Sequence, residues 1–196
     1  MSMASRLLIV AVVLLAACAG SPAASMPGVV TVTFFSSSPT DTNLVLSTGT
    51  MKLSHLEVSG DAPPMYPPTL PERKLDLTNY NTVAQAITGL APGLYDLVQF
   101  DYHAIMMTGT WRTVPFSIHI EPVGMPQVSV RADVAHELGE NEDVTFGIFV
   151  GVASWFAGDL LDSAMSHGGV LVCDGASNPF VSMELAQRIS MSFSTE

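Results

Sequence analysis

Apolar side chains recur at every second position in short stretches along almost all of this chain. Val30, Val32 and Phe34 alternate with Thr31, Thr33 and Phe35, and Val114, Phe116, Ile118 and Ile120 alternate with Pro115, Ser117, His119 and Glu121. Val144, Phe146, Ile148 and Val150 repeat the rhythm, and Val128 and Val130 begin another such stretch. A period of two is that of a half-buried strand, whose side chains point alternately to the two faces of a sheet. Leu44 and Leu46 open a further strand, and Thr50 to Val58 predicts the next, with Met51, Leu53 and His55 on one face and Lys52, Ser54 and Leu56 on the other. From Tyr95 to about Met106, Val98, Phe100 and Tyr102 oppose Leu97, Gln99, Asp101 and His103. Arg73 to Thr78 is short and strand-like, whereas residues 61–72 hold five prolines and must form a loop, because proline cannot donate to a ladder. Six to eight short strands joined by glycine- and proline-rich turns predict a mainly β chain, an antiparallel β-sandwich.

The last stretch changes character. Ser154 to Asp162 predicts a short helix, Gly169 to Cys173 a strand, and Asn178 with Pro179 a helix start that runs to about Phe193. In that C-terminal helix Leu185, Ala186 and Ile189 are buried against the sandwich and Glu184 pairs with Arg188 one turn on. No internal repeat or charge run divides the chain, so residues 28–196 read as one domain.

Charged residues are 13% of the chain, about half the usual share, and their balance is −11. Phosphate neutralisation needs lysine and arginine, so a nucleic-acid partner is excluded. The longest early apolar run, Leu7 to Ala17, spans eleven residues after a lone Arg6. At 1.5 Å per residue it is too short for a bilayer core of about 30 Å and has the form of a secretory signal peptide. It closes with Leu15-Ala16-Ala17-Cys18. This phrase resembles the lipobox of bacterial lipoprotein precursors, which implies cleavage before Cys18, lipidation of its thiol and attachment to a membrane of the bacterial cell envelope. Ala19 after the cysteine implies, by the sorting rule of that family, the outer membrane. The chain then divides into a leader (1–17), a lipidated cysteine with a flexible tether (18–27) and the domain (28–196). The alternative is an ordinary signal peptide cut at a small-residue site as far along as Ala24, which would discard Cys18. In either case Cys173 has no intrachain partner, and its apolar surroundings predict a small core residue.

The segment from Leu75 to Tyr95, with Pro92-Gly93-Leu94-Tyr95, is similar to the turn of transthyretin-like and carboxypeptidase-regulatory-like β-sandwich modules and of uncharacterised bacterial surface lipoproteins. The resemblance implies the sandwich and transfers no catalytic residue.

Candidate chemistry gathers in Asp133, His136, Glu137, Glu140, Glu142 and Asp143, read as a connection between two strands. Five carboxylates in eleven residues could coordinate Ca²⁺, which takes six to eight oxygens, but the EF-hand spacing is absent and Gly139 sits in the wrong place for it, so a solvated acidic loop is the preferred reading. Glu140 stands where a zinc protease motif would need its second histidine. His103 with Met106 and Met107 raises copper, although the two methionines face opposite sides of a strand. Asp101, His103 and His119 would form a hydrolase site if their strands brought them together, and Trp111 on a strand edge or turn would suit stacking on a sugar. No serine-nucleophile elbow or phosphate-binding glycine loop occurs. Three functions follow as expectations: a non-catalytic, lipid-anchored envelope module that binds a protein or glycan; a metal-binding lipoprotein using Ca²⁺ or copper; and a hydrolase.

Overall fold

The computed structural model describes residues 27–36, 43–61, 72–78, 83–122 and 126–195. The leader, Cys18, the tether up to residue 26 and most of the proline-rich segment lie outside them. The described residues form a β-sandwich. Its strands are β1 (Gly28–Ser36), β2 (Leu44–Gly60), β3 (Arg73–Asp76), β4 (Val83–Leu90), β5 (Gly93–Trp111), β6 (Val114–Ile120), β7 (Gln127–Leu138), β8 (Asp143–Val150), β9 (Ser166–His167), β10 (Val170–Cys173) and β11 (Phe193–Thr195). One sheet has the order β11-β8-β1-β4, and the other the order β3-β2-β5-β6-β10-β9 with β7 paired to β5. Most ladders are antiparallel, as expected, but β1 runs parallel to β8 and β10 parallel to β6. Both parallel pairs join strands distant in sequence, where a crossover is needed and local alternation carries no directional signal.

The inner faces supply the core. Val30, Val32 and Phe34 of β1 face Val98, Phe100 and Tyr102 of β5, and Phe100 meets Phe34 and Phe193 edge-on at 5.0 and 5.1 Å. Each such aromatic contributes about 2–3 kcal/mol by leaving water. The predicted strands at Leu44 and at Thr50 are one continuous strand, β2, which pairs along most of the 19 residues of β5.

The helix expected over 154–162 is broken. A single turn, α1 (Val152–Trp155), is followed by a left-handed Gly158 (φ +70°) and a 3₁₀ turn at Leu160–Ser163. The C-terminal helix α2 (Pro179–Ser190) forms but stops short of the expected Phe193, which begins β11; Val181, Leu185 and Ile189 are buried, Ala186 is half-buried, and Arg188 pairs with Glu184 at 3.0 Å. Asn178 makes no side-chain cap on it. Its amide instead bonds the backbone of Met165 through both N–H and C=O and the carbonyl of Val172, fastening the 164–178 region to the helix start. Cys173 is fully buried, and desolvation, with Asp174 beside it, pushes its thiol up to about 11. It is a core residue. None of the described helices is long and apolar enough to cross a membrane.

Candidate functional site

The six residues singled out between 133 and 143 are spread apart. Strand β7 runs on to Leu138, so Asp133, His136 and Glu137 belong to a strand and only 139–142 is a connection. That connection joins strands in different sheets. His136 is half-buried, its ring 4.3 Å from that of Phe146. Glu142 turns its carboxylate back onto the Gly139 amide at 2.8 Å, closing the turn around left-handed Asn141. Asp133 stands in a wide bulge where residues 132–135 oppose Asp96 alone, and Glu137, Glu140 and Asp143 are exposed. Among the described residues no group of three or more His, Cys, Asp or Glu side chains is arranged to hold a metal ion.

The hydrolase constellation is also taken apart. Asp101 bonds to neither His103 nor His119: its carboxylate is 2.7 Å from Nδ1 of His55, while His103 reaches Glu72 at 2.9 Å and His119 pairs with Glu121 at 3.3 Å. Trp111 is buried, donates its indole N–H to Asp162 at 2.5 Å and carries Arg112 over its ring, so no face remains for a sugar. Met107 is buried and Met106 exposed, on opposite faces as expected.

What the fold does bring together lies on the outer face of the larger sheet, between two bulges. Near one end, Ala104 and Ile105 of β5 oppose Met51 alone, and Ala104 has φ +48°. Near the other, His55 and Leu56 of β2 oppose Phe100 alone, and His55 has φ +49°. A left-handed backbone is unfavourable for residues other than glycine by roughly 1–2 kcal/mol. Here two such residues flank three ladder pairs: Lys52 with His103, Leu53 with Tyr102, Ser54 with Asp101. The bulge also explains why the expected alternation fails. It displaces the period by one, so Leu56 rather than His55 turns into the core and His55 emerges beside Asp101.

The result is a compact charged group. Asp101 is only 8% exposed, and the His55 ring N–H compensates the desolvation of its carboxylate. Glu72, just ahead of β3, is clamped between Lys52 at 2.9 Å and His103 at 2.9 Å. The Lys52 hydrogen bond first, and that of His103 second, hold its carboxyl below the usual range. Across β3, β2 and β5, Lys74, Lys52 and His103 lie in one row of the ladder. Lys52 and Lys74 are balanced here by the carboxylates of Glu72 and Asp101. The place between Lys52 and His103 that Glu72 fills is one that suits a carboxylate. Sequence reading took Asp101 and His103 as neighbours on one strand but missed His55, Lys52 and Glu72. The proline-rich stretch before Glu72 hid the fact that the chain returns beside Lys52.

No protein-family model, no curated protein and no solved structure matches this chain.

Proposed function

We propose that this chain is a lipid-anchored protein of a bacterial cell envelope, and that its sandwich is a binding module whose contact surface is the bulged patch of β2, β3 and β5. The anchor reading rests on the lipobox-like Leu15-Ala16-Ala17-Cys18 and on where the body starts: β1 begins at Gly28, ten residues after Cys18. Ten residues reach at most about 35 Å when extended, enough to hold a sandwich beside a bilayer without requiring it to touch lipid. Two or more acyl chains give stable attachment where one does not.

The observation that carries the binding reading is the pair of left-handed, non-glycine residues that set His55, Asp101, Lys52, His103 and Glu72 on one open face. Backbone strain of this kind collects where a surface is shaped for contact. The Lys52–His103 pair, which holds the Glu72 carboxylate, fits a carboxylate or similar anion of a glycan or protein ligand that takes the place of Glu72.

Two measurements test the proposal. Labelled palmitate is incorporated into the wild-type chain and not into Cys18→Ala; equal labelling of the two removes the anchor. In an NMR titration with an acidic oligosaccharide and with an acidic peptide, shift changes centre on Lys52 and His103 and vanish in Lys52→Ala. If neither ligand moves that patch, it is not the contact surface.

A further inference from the structure

The two strands that share one side of β5 do not meet. Strand β6 leaves it where Ile105 pairs with Ile120, and β7 joins it only where Asp101 pairs with Gln127. Between those pairs Tyr102 and His103 have a ladder partner on β2 alone, and Ala104 belongs to the bulge. Such a gap opens the interior of a sandwich unless another element covers it. Here α2 packs over β6 and β10, and the Tyr102 hydroxyl ties it down by donating to the Ala186 carbonyl at 3.2 Å. The cover is incomplete. A groove of about 440 Å³ remains between α2, the end of β6 and the start of β7. That volume falls within the roughly 300–1,000 Å³ of small-molecule sites.

The walls are apolar. The β6–β7 side contributes Ile120, Pro122 and Pro126, and α2 contributes Pro179, Met183 and Ala186. Met183 is exposed and brings a thioether, which favours contact with the edge of an aromatic ring. Two polar features then point to a ligand. Ser182 lines the groove, is only 8% exposed and makes no hydrogen bond among the described residues. Helical serines commonly bond back onto the preceding turn. Ser163, Ser190 and Ser192 do so here, each to the carbonyl three residues earlier, whereas Ser182 leaves its hydroxyl open to the groove. The second feature is charge. Among the described residues that line the groove Glu121 is the only charged one, and just one of its oxygens stands near a partner, His119 at 3.3 Å. The next nearest carboxylate in the chain, that of Asp174 before the lining Gly175, is turned onto the amides of Ala176 and Ser177.

We propose that this groove is a binding site for a small organic cation with a flat apolar body. The body lies among Ile120, the prolines and Met183, the ammonium group meets the Glu121 carboxylate, and a polar atom of the ligand takes up the Ser182 hydroxyl. A buried polar group left without a partner is costly, so a ligand that supplies one gains affinity and selectivity together. A net charge of −11 favours the approach of a cation over that of an anion. The groove opens on the inner side of β5, under α2, whereas Lys52 and His103 lie on the outer face, so the two sites are independent.

Isothermal titration of the full chain in detergent, with micelles alone as the blank, compares tryptamine with indole-3-propionate, which carries the same ring and the opposite charge. Tryptamine binds, and the acid binds at least about tenfold less tightly. Ala186→Leu fills the groove and abolishes tryptamine binding, and Glu121→Gln weakens it about threefold, as expected for an exposed carboxylate. Lys52→Ala leaves it unchanged. Ser182→Ala weakens binding yet melts no lower than wild type without ligand, because its hydroxyl has no bond to lose and alanine suits a helix better. Equal binding of the two indoles, or binding of neither, overturns the proposal. So does a tryptamine affinity indifferent to Glu121→Gln and to Ala186→Leu in chains with native circular dichroism. A lower melting temperature for Ser182→Ala would show that its hydroxyl serves the fold, and would remove it from the site.

Discussion

Replacing His55 by glycine and, separately, by alanine tests the bulge on which the candidate site depends. At an ordinary strand position glycine is less stable than alanine by about 0.5–1 kcal/mol, because it loses more freedom on folding. At φ +49° the order inverts, since alanine keeps the left-handed penalty of about 1–2 kcal/mol and glycine does not. Both substitutions remove the hydrogen bond to Asp101. Its worth is about 1 kcal/mol, because the His55 side chain is 54% exposed and water screens the pair. His55→Ala therefore loses about 1 kcal/mol relative to the native chain, whereas His55→Gly offsets that loss with relieved strain and comes out near zero. The gap of about 1 kcal/mol corresponds to 2–4 °C in Tm for a domain of this size. Urea and thermal unfolding of the two variants measure it directly. Glycine falling below alanine would mean that residue 55 is extended, and the outer-face cluster would lose its structural basis.

Three further outcomes follow from single residues. The Cys173 thiol ionises near 9 in the unfolded chain and only near 11 when folded, so its contribution is complete below pH 9. As pH rises from 9 to 11 the thiol's share, about 3 kcal/mol, is lost; urea midpoints across that range show the decline, which Cys173→Ala makes shallower and which Tyr95 and Tyr102, also raised by burial, continue. The β5–β6 turn places Arg112 at φ +47° and β-branched Thr113 at φ +72°. Thr113→Gly raises stability by about 1 kcal/mol, read as a higher Tm, since a two-residue hairpin of this type favours glycine there. Asn178→Ala removes three hydrogen bonds from a side chain only 5% exposed and lowers stability by about 3 kcal/mol, with faster proteolysis between Gly158 and Gly169 as a second readout.

The strands were legible because a sandwich buries one face of each, and alternation such as that of Val30, Val32 and Phe34 records burial directly. The C-terminal helix was legible for a similar reason, with Pro179 marking its first turn. What alternation cannot record is an interruption of itself. His55 was assigned to the face of Met51 and Leu53 because a period of two, extended one residue too far, puts it there. Pairings across long separations were equally hidden: His55 and Asp101 are 46 residues apart, and Trp111 finds Asp162 after 51. The acidic stretch misled because composition says nothing about direction. Successive residues of β7 point to opposite faces and its bulge re-aims others, so carboxylates close in sequence need not meet in space.

The two bulges are compensating, and this gives the strongest test of why they exist. Thr50 faces Met106 before the first, and Glu57 faces Gln99 after the second. The extra residue is Ala104 on β5 in one case and His55 on β2 in the other, so the offset introduced at the first is undone at the second. Each extra residue is unpaired, so deleting His55 alone, or Ala104 alone, keeps every remaining pair and every inward face and leaves the other bulge in place. Deleting both residues restores a regular ladder in which every remaining pair and every inward face is kept. The double deletion also removes two left-handed residues, which offsets loss of the His55–Asp101 bond. The double deletion, like each single one, is therefore expected to fold with near-native stability by thermal melting. A double deletion that loses several kcal/mol would show that the bulges serve the packing of the sandwich. A folded double deletion that no longer binds the acidic ligand would assign the strain at His55 and Ala104 to recognition.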